Sequence, residues 1–271
     1  MAQVTSGDVS IVYDDLGQGE PALLLLPGWC ANRTVFQSLA PFCGGRRRTL
    51  ALDWRGHGES GSPAGDFGAD DLVEDALNLI EASGAESIVP VALSHAGWIA
   101  IELQRRLGVR VEKLVLLDWI IMMQPPREFF DTLDGMQSSS RWRETVERIF
   151  SVWLGDVDNA ALVRFVREEM GSYGFEMWAR AAREISAAYA DMGTPLQTLA
   201  ALDPPLPVLH LYAQPEEPRY LAAQQSFAAK HSWFKVMRLN ARSHFPMFEV
   251  PEEMADAIEQ FVNKDARDFS S

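Results

Sequence analysis

Short apolar runs alternate with segments of helical periodicity through the first part of the chain. An apolar run that ends in turn residues is typical of a buried parallel strand, and apolar positions three or four residues apart are typical of a helix packed on a core. This alternation predicts right-handed β-α-β units and a mainly parallel sheet. We predict strands at residues 21–26, 48–53, 87–93 and 111–117, with helices at residues 70–82 and 98–107.

The pattern changes after residue 119. Helical periodicity continues through residues 141–154, 160–170 and 174–190, and the strand pattern returns at residues 205–212 and 234–239, with helices at 220–231 and 251–262. We therefore predict a core domain of residues 1–119 and 201–271, interrupted by a helical cap of residues 120–200, and a frayed end at 263–271. Pro90, within the third strand, argues against a central place for that strand.

Composition narrows the function classes. The chain has 271 residues, 47% of them hydrophobic, and a net charge of −14, which argues against a phosphate-backbone partner. Its two cysteines, Cys30 and Cys43, match neither a disulfide framework nor a zinc site. The sequence has no secretion signal and no apolar stretch long enough for a bilayer. We expect a cytoplasmic protein, a monomer or small homo-oligomer, without nucleic-acid or membrane partners.

Chemically useful side chains cluster directly after the predicted strands. In open α/β sheets, ligands bind at the carboxyl ends of the strands, so residues in these positions are expected to form the active site. The positions in question are residues 27–30, 53–60, 94–97, 118–119, 212–217 and 240–244.

Ser94 lies between a predicted strand and a helix that begins near Gly97. This is the position of a nucleophile elbow, in which a sharp turn exposes the serine above the sheet. Ala92 and Ala96 stand where the usual G-x-S-x-G pattern has glycines, and both are small enough for close backbone packing. The alternative is a serine that merely caps the helix.

His244 follows the last predicted strand and precedes the last helix, and we predict that it is a base. A carboxylate bonded to one ring nitrogen would fix the tautomer and leave the other nitrogen free to accept a proton. Asp118 is favoured for this role because it follows its strand directly. Glu216 and Glu217, one strand later, are the alternatives.

Two backbone N–H groups are candidates for an oxyanion hole, those of Trp29 and of His95. The Trp29 side chain could equally serve packing alone. We interpret His57, in the loop of residues 53–60, as structural. The sequence has no phosphate-binding glycine loop, dinucleotide fingerprint or metal-ligand cluster, so we predict no cofactor and no metal.

Together these residues resemble one family, the cofactor-independent ring-cleaving dioxygenases of the α/β-hydrolase fold, which act on 3-hydroxy-4-oxoquinolines. The fold that the resemblance implies is a mostly parallel central sheet flanked by helices, with an inserted helical cap. The resemblance covers nearly the whole chain. The motifs that carry it are LPGWC at residues 26–30, WRGHG at 54–58, SHAGW at 94–98, DW at 118–119, VWL at 152–154, QPEEP at 214–218, HSWF at 231–234 and HFP at 244–246.

The resemblance also implies a mechanism. His244, oriented by Asp118, removes the proton of the 3-hydroxyl, and the anion reacts with dioxygen without metal or flavin. The ring opens, and carbon monoxide and an N-acylanthranilate are formed. The N–H groups of Trp29 and His95 hold the 4-oxo oxygen, and Ser94 places the substrate. From the cap, Trp153 lines the pocket.

The chain departs from the family at two positions, where Ala31 and Leu93 stand in place of histidines that members can carry. These changes make the pocket more apolar, as do residues 120–123, which include Met122. We therefore expect Leu93 and Met122 to contact a long 2-alkyl chain. The expected partners are a 2-alkyl-3-hydroxy-4(1H)-quinolone, of the kind that bacteria use as signals, and O2.

Two other functions use the same residues. A serine ester or amide hydrolase would use Ser94 as nucleophile with His244 and an acid. A small-molecule receptor on the same fold could retain all three side chains without turnover.

Overall fold

A single eight-stranded sheet forms the centre of the molecule. The computed structural model describes residues 1–265, and the rest of the predicted frayed end, residues 266–271, lies outside the described residues. The strands are β1 (Ala2–Ser6), β2 (Val9–Leu16), β3 (Ala22–Leu26), β4 (Thr49–Leu52), β5 (Ile88–Leu93), β6 (Leu114–Leu117), β7 (Val208–Tyr212) and β8 (Phe234–Arg238).

The strand order is β1-β2-β4-β3-β5-β6-β7-β8, and the sheet is mostly parallel. The six strands from β3 to β8 run parallel, and each overlaps a predicted strand, so the predicted sheet is confirmed. The antiparallel pairs β1–β2 and β2–β4 were not predicted. Polar residues interrupt both N-terminal strands, which lie at the edge of the sheet with one face partly in solvent.

Ten helices accompany the strands in residues 1–265. None of them is both long and apolar enough to cross a lipid bilayer. They are α1 (Ala40–Gly44), α2 (Ala69–Ser83), α3 (Ala96–Leu107), α4 (Arg127–Met136), α5 (Trp142–Leu154), α6 (Ala160–Arg164), α7 (Phe175–Met192), α8 (Pro195–Ala200), α9 (Pro218–Ala228) and α10 (Pro251–Val262).

Pro90 lies in the middle of the sheet, where the sequence argued against a strand. The carbonyl of Ile88 accepts the N–H of Glu112 on the β6 side, and Pro90, two residues later, faces the same way. The β5–β6 ladder begins only at Val91 and Val115. The missing N–H of Pro90 therefore falls in the gap between the isolated Ile88–Val111 bridge and the continuous β5–β6 ladder.

Five helices, α4 to α8, follow β6 and precede β7. We call residues 120–200 the helical insertion; its description as a separate cap domain stays a prediction. Helices α4, α5 and α7 pack on one another, with the Phe150 and Trp178 rings 5.6 Å apart. The helix predicted at 160–170 is broken: α6 passes into a wider, π-helical turn, Phe165–Glu169, which brings the consecutive side chains of Phe165 and Val166 into the core.

Candidate active site

The turn between β5 and α3 holds Ser94 in a strained conformation, with φ at 53°. Close packing surrounds this elbow. A Cβ atom at Gly97 would lie 2.2 Å from the Trp119 ring, and one at Gly28 would lie 3.5 Å from the carbonyl oxygen of Leu93. Glycine is therefore required at residue 97, where the helix meets the Trp119 ring, and the predicted elbow is present although Ala92 and Ala96 replace the usual glycines.

Three non-glycine residues with positive φ occur in the part of the chain that the structure describes: Cys30, Ser94 and Asp118. Each directly or closely follows a parallel strand, β3, β5 or β6. Such conformations cost on the order of 1–3 kcal/mol each and concentrate at functional sites. The carboxyl edge of the sheet is thus where this fold retains backbone strain.

Asp118 and His244 are brought together by the fold. The Nδ1 atom of His244 lies 2.7 Å from Oδ2 of Asp118. The other carboxylate oxygen accepts the N–H groups of Ala213, at 2.6 Å, and Gln214, at 2.9 Å, which follow β7. The buried carboxylate is held on both oxygens, so His244 Nδ1 carries a proton and Nε2 is left with its lone pair.

The alternative acids do not contact His244. Glu216 is exposed and pairs with Arg238 at 3.8 Å, and Glu217 precedes α9 at the surface. The segment that carries them contributes backbone instead, since Gln214 donates its N–H to Asp118.

Trp153, on α5, covers the His244 ring. The two rings are stacked at 5.1 Å and 19°, and the carbonyl of Trp153 accepts the N–H of His244 at 2.8 Å. The helical insertion thereby helps to hold the imidazole, and 12% of the His244 side chain remains exposed.

Ser94 is hydrogen-bonded to its neighbour rather than to His244. Its Oγ lies 3.2 Å from Nδ1 of His95, and within residues 1–265 it makes no hydrogen bond to His244. Burial lowers the pKa of His95 to about 3, so this ring is neutral at physiological pH. The His95 ring packs against Phe129 and Tyr189 and has a buried Nε2 without a partner among the described residues.

The predicted oxyanion N–H groups lie on two adjacent turns. Gly28 approaches the Ser94 Cβ closely enough that an added Cβ would be 3.9 Å away. Within the described chain, neither Trp29 nor His95 donates its backbone N–H to another residue. Both donors therefore remain available to an acceptor placed above Ser94.

Two cavities meet at this point, and Ser94, His95, Phe129, Trp153 and His244 line both of them. The inner cavity, of about 130 Å³, is also lined by Trp29, Ala31 and Leu93. Its far wall comes from the helical insertion and includes one polar side chain, Thr132 on α4, whose hydroxyl donates to the carbonyl of Glu128. The apolar residues of this wall include Leu133 and Met136 on α4, Ile149 on α5, and Trp178, Ala181 and Ile185 on α7.

The outer cavity, of about 700 Å³, is wider and more polar. Asp118 and Ile120 line it on one side, and residues 214–217 line it on the other. Met122 is half-buried against the core and lines neither cavity, so its contact with a substrate stays a prediction.

Sequence reasoning missed most of the inner wall. Met136 and Ile185 are ordinary apolar positions of amphipathic helices, and only tertiary packing turns them toward Ser94. The 3.6-residue period marks which face of a helix is apolar but not whether that face meets a core or a cavity.

Acid should destabilise the fold through three histidines whose pKa is lowered by burial, His57, His210 and the His95 described above. Burial lowers the pKa of His57 and of His210 to about 4, from an ordinary value of 6.5. Between these values the unfolded chain binds protons that the folded chain does not, so stability falls as the pH drops from 6.5 toward 4. Each histidine should lower the free energy of unfolding by about 2 kcal/mol between pH 7 and pH 5, measured by urea unfolding.

A His210→Gln variant isolates one of these contributions, because the other titrating groups cancel when its pH dependence is compared with that of the parent. Between pH 7 and pH 5, the free energy of unfolding of this variant should fall by about 2 kcal/mol less than that of the parent. His231→Gln, at a partly exposed position, is the matched control for the histidine-to-glutamine exchange itself. An unchanged pH dependence in His210→Gln would contradict the assignment.

Comparison with known proteins agrees with the site. Residues 23–257 match the family model described as the alpha/beta hydrolase family. The chain is 38% identical to the 2-heptyl-3-hydroxy-4(1H)-quinolone dioxygenase of Mycobacteroides abscessus, over 93% of this chain and 94% of that protein. It is 35% identical to the 1H-3-hydroxy-4-oxoquinoline 2,4-dioxygenase of Pseudomonas putida, over 93% and 96% of the two chains.

A solved structure extends the likeness to the fold. The AqdC variant in complex with its substrate, from work on ring cleavage of the Pseudomonas quinolone signal, superposes with a TM-score of 0.91 at 36% identity, covering 96% of this chain and 98% of that one. The chain belongs to the α/β hydrolase family and, within it, to the 3-hydroxy-4-quinolone 2,4-dioxygenases.

Proposed function

We propose that the protein is a cofactor-free dioxygenase that cleaves the heterocyclic ring of a 2-alkyl-3-hydroxy-4(1H)-quinolone with O2. The observation that carries the proposal is the Asp118–His244 pair. His244 lines both cavities, and its Nε2 atom is free to accept a proton. The backbone N–H groups of Trp29 and His95, which have no acceptor within the described residues, lie on the neighbouring turns. The relatives described above supply the substrate class.

The first step is removal of the 3-hydroxyl proton by Nε2 of His244. Asp118 keeps Nδ1 protonated and stabilises the imidazolium that forms. The negative charge spreads from the 3-oxygen to the 4-oxo oxygen, where the N–H groups of Trp29 and His95 receive it. Ser94 contributes a hydrogen bond that places the substrate.

The second step forms two bonds to dioxygen. One oxygen atom bonds to ring carbon 2, and the resulting peroxide attacks carbon 4. The O–O bond and both bonds from carbon 3 to its ring neighbours break, and carbon 3 leaves as carbon monoxide with its own oxygen. Both atoms of O2 stay in the N-acylanthranilate, whose carboxylate carries the charge of the substrate anion. The apolar cavity walls limit access of water to the reactive anion.

The inner cavity is the place that we assign to the 2-alkyl chain. Its far wall is made mainly of alkyl and aromatic side chains, whereas the carboxylates Glu216 and Glu217 line the outer cavity. Burial of each CH2 group contributes about 0.8 kcal/mol, so a heptyl chain gains several kcal/mol over a methyl group by entering the inner cavity. Ala31 and Leu93, which also line it, add two further apolar side chains for this alkyl chain to contact.

The assignment predicts a preference of the parent enzyme and its loss in one variant. The parent should turn over the heptyl-substituted ring with a higher kcat/KM than the methyl-substituted ring. Ala181→Phe fills the inner cavity from α7 and should lower kcat/KM for the heptyl substrate by about 100-fold, since several buried CH2 groups lose their place. Loss of quinolone absorbance measures both rates.

The methyl-substituted ring is the internal control, since the same variant should process it at close to the parent rate. Equal losses for the two substrates would place the ring, not the chain, in the inner cavity. A parent enzyme that prefers the methyl substrate would overturn the assignment of a long-chain quinolone.

A further inference from the structure

His57 lies directly behind the turn that carries the Trp29 N–H. Its ring is fully buried and lines neither cavity. The ring centroid lies 6.1 Å from that of Trp29, and Nε2 accepts the backbone N–H of Cys30 at 3.2 Å. His57 therefore contacts the substrate-facing turn without reaching the substrate.

The turn over residues 28–31 has a conformation that a side chain at residue 30 disfavours. The N–H of Ala31 bonds to the carbonyl of Gly28, and φ is positive at Cys30 but not at Trp29. Among the common turns, positive φ at the third residue alone defines type II, which normally has glycine there. Rotation of the Trp29–Cys30 peptide would relieve the strain, and it would also turn the Cys30 N–H away from His57.

The hydrogen bond to His57 opposes that rotation because the ring is fixed as an acceptor. Nδ1 of His57 donates to the carbonyl of Arg55 at 2.9 Å, which leaves Nε2 unprotonated. Arg55 is anchored in turn by two hydrogen bonds to Asp75 on α2, at 2.6 and 2.9 Å. A line of contacts thus runs from α2 through His57 to the oxyanion turn.

We propose that His57 is a positioning residue for the oxyanion hole: its hydrogen bond with the Cys30 N–H holds the strained turn of residues 28–31 in place, and with it the Trp29 N–H at the second position of that turn. This rests on the proposed function, and it assigns to a buried loop histidine a role in the reaction beyond packing. Loss of the acceptor should weaken charge stabilisation at the 4-oxo oxygen while leaving the cavity walls in place.

The test follows the substrate anion in the absence of oxygen. Anaerobic mixing of enzyme with a 2-heptyl-3-hydroxy-4-quinolone should give the absorbance of the bound anion. His57→Leu should decrease the anion fraction at a given pH and lower kcat by about 10- to 100-fold, with a smaller change in KM. His57→Gln, whose side-chain oxygen can accept the Cys30 N–H, should restore most of both.

A second rescue addresses the strain directly. Glycine adopts a positive φ without strain, so Cys30→Gly in the His57→Leu background should recover anion and rate relative to His57→Leu alone. Tyr173→Phe is the matched control, because it removes a different hydrogen bond to the same loop, that with the Gly58 N–H, and should keep the parent's anion fraction.

The possible outcomes separate the two proposals. A parent enzyme that forms no anion overturns the proposed function. If the parent forms the bound anion and a folded His57→Leu variant forms as much of it, the role proposed for His57 is overturned. Equal losses in His57→Leu and His57→Gln without rescue by Cys30→Gly also overturn it, because a purely structural defect would then explain both. If His57→Leu does not fold, His57→Phe, a planar ring that also lacks the acceptor, takes its place in every comparison.

Discussion

His244→Ala should lower kcat/KM for the heptyl-substituted quinolone by about 1,000-fold, the middle of the range for loss of a general base. The fold supplies His244 as a base with a fixed tautomer, through the 2.7 Å contact with Asp118. Alanine also removes the ring that stacks on Trp153. Oxygen consumption over a range of substrate concentrations below and above KM is the measurement, with near-ultraviolet circular dichroism to confirm that the variant is folded.

Ser94→Ala is the matched control for that experiment. It removes the hydroxyl that lies 3.2 Å from His95, while leaving the Asp118–His244 pair intact. We expect it to retain a substantial part of the oxygen-dependent rate. A serine hydrolase would show the opposite, with loss of all turnover in Ser94→Ala and covalent labelling of Ser94 by an organophosphate in the parent.

Asp118→Asn should lower kcat by about 100- to 10,000-fold, even though it is nearly isosteric. The side-chain oxygen of asparagine would still accept the N–H groups of Ala213 and Gln214. Its amide nitrogen would then face His244, and two donors cannot share that contact. The imidazole would take its proton on Nε2, where the substrate must be deprotonated.

Glu216→Gln and Glu217→Gln are the controls for the identity of the orienting acid. Both residues lie at the outer cavity, away from the His244 Nδ1 contact. Their variants should keep a rate close to that of the parent in the same oxygen-uptake assay. A loss in Glu217→Gln comparable to that in Asp118→Asn would contradict the assignment of Asp118.

The residues that meet at the carboxyl edge of the sheet could be predicted from the sequence, because adjacent parallel strands end at the same edge. The run that ends at Leu117 and the run that ends at Tyr212 are neighbours in a parallel sheet, so Asp118 and Ala213 meet at the same edge. Sequence spacing alone left Glu216 and Glu217 as alternatives. The register between β6 and β7 brings the N–H groups of the later segment, rather than its carboxylates, to the site.

Backbone strain and cavity shape could not be predicted in the same way. Cys30 has a conformation that usually belongs to glycine, and its partner His57 is 27 residues away in the chain. The far wall of the inner cavity depends on how α4, α5 and α7 pack, which local periodicity does not encode. Met122 illustrates the same limit, since it follows the correct strand yet lies outside both cavities.

The fate of isotopic oxygen tests the central claim most directly. Chelator-treated protein is mixed with the heptyl-substituted quinolone under ¹⁸O2, while oxygen uptake, carbon monoxide and product mass are followed. The account predicts equal amounts of oxygen consumed and carbon monoxide released, with both labelled atoms in the N-acylanthranilate, one in the amide and one in the carboxylate. A product that takes its oxygen from water, or conversion without oxygen uptake, would contradict it.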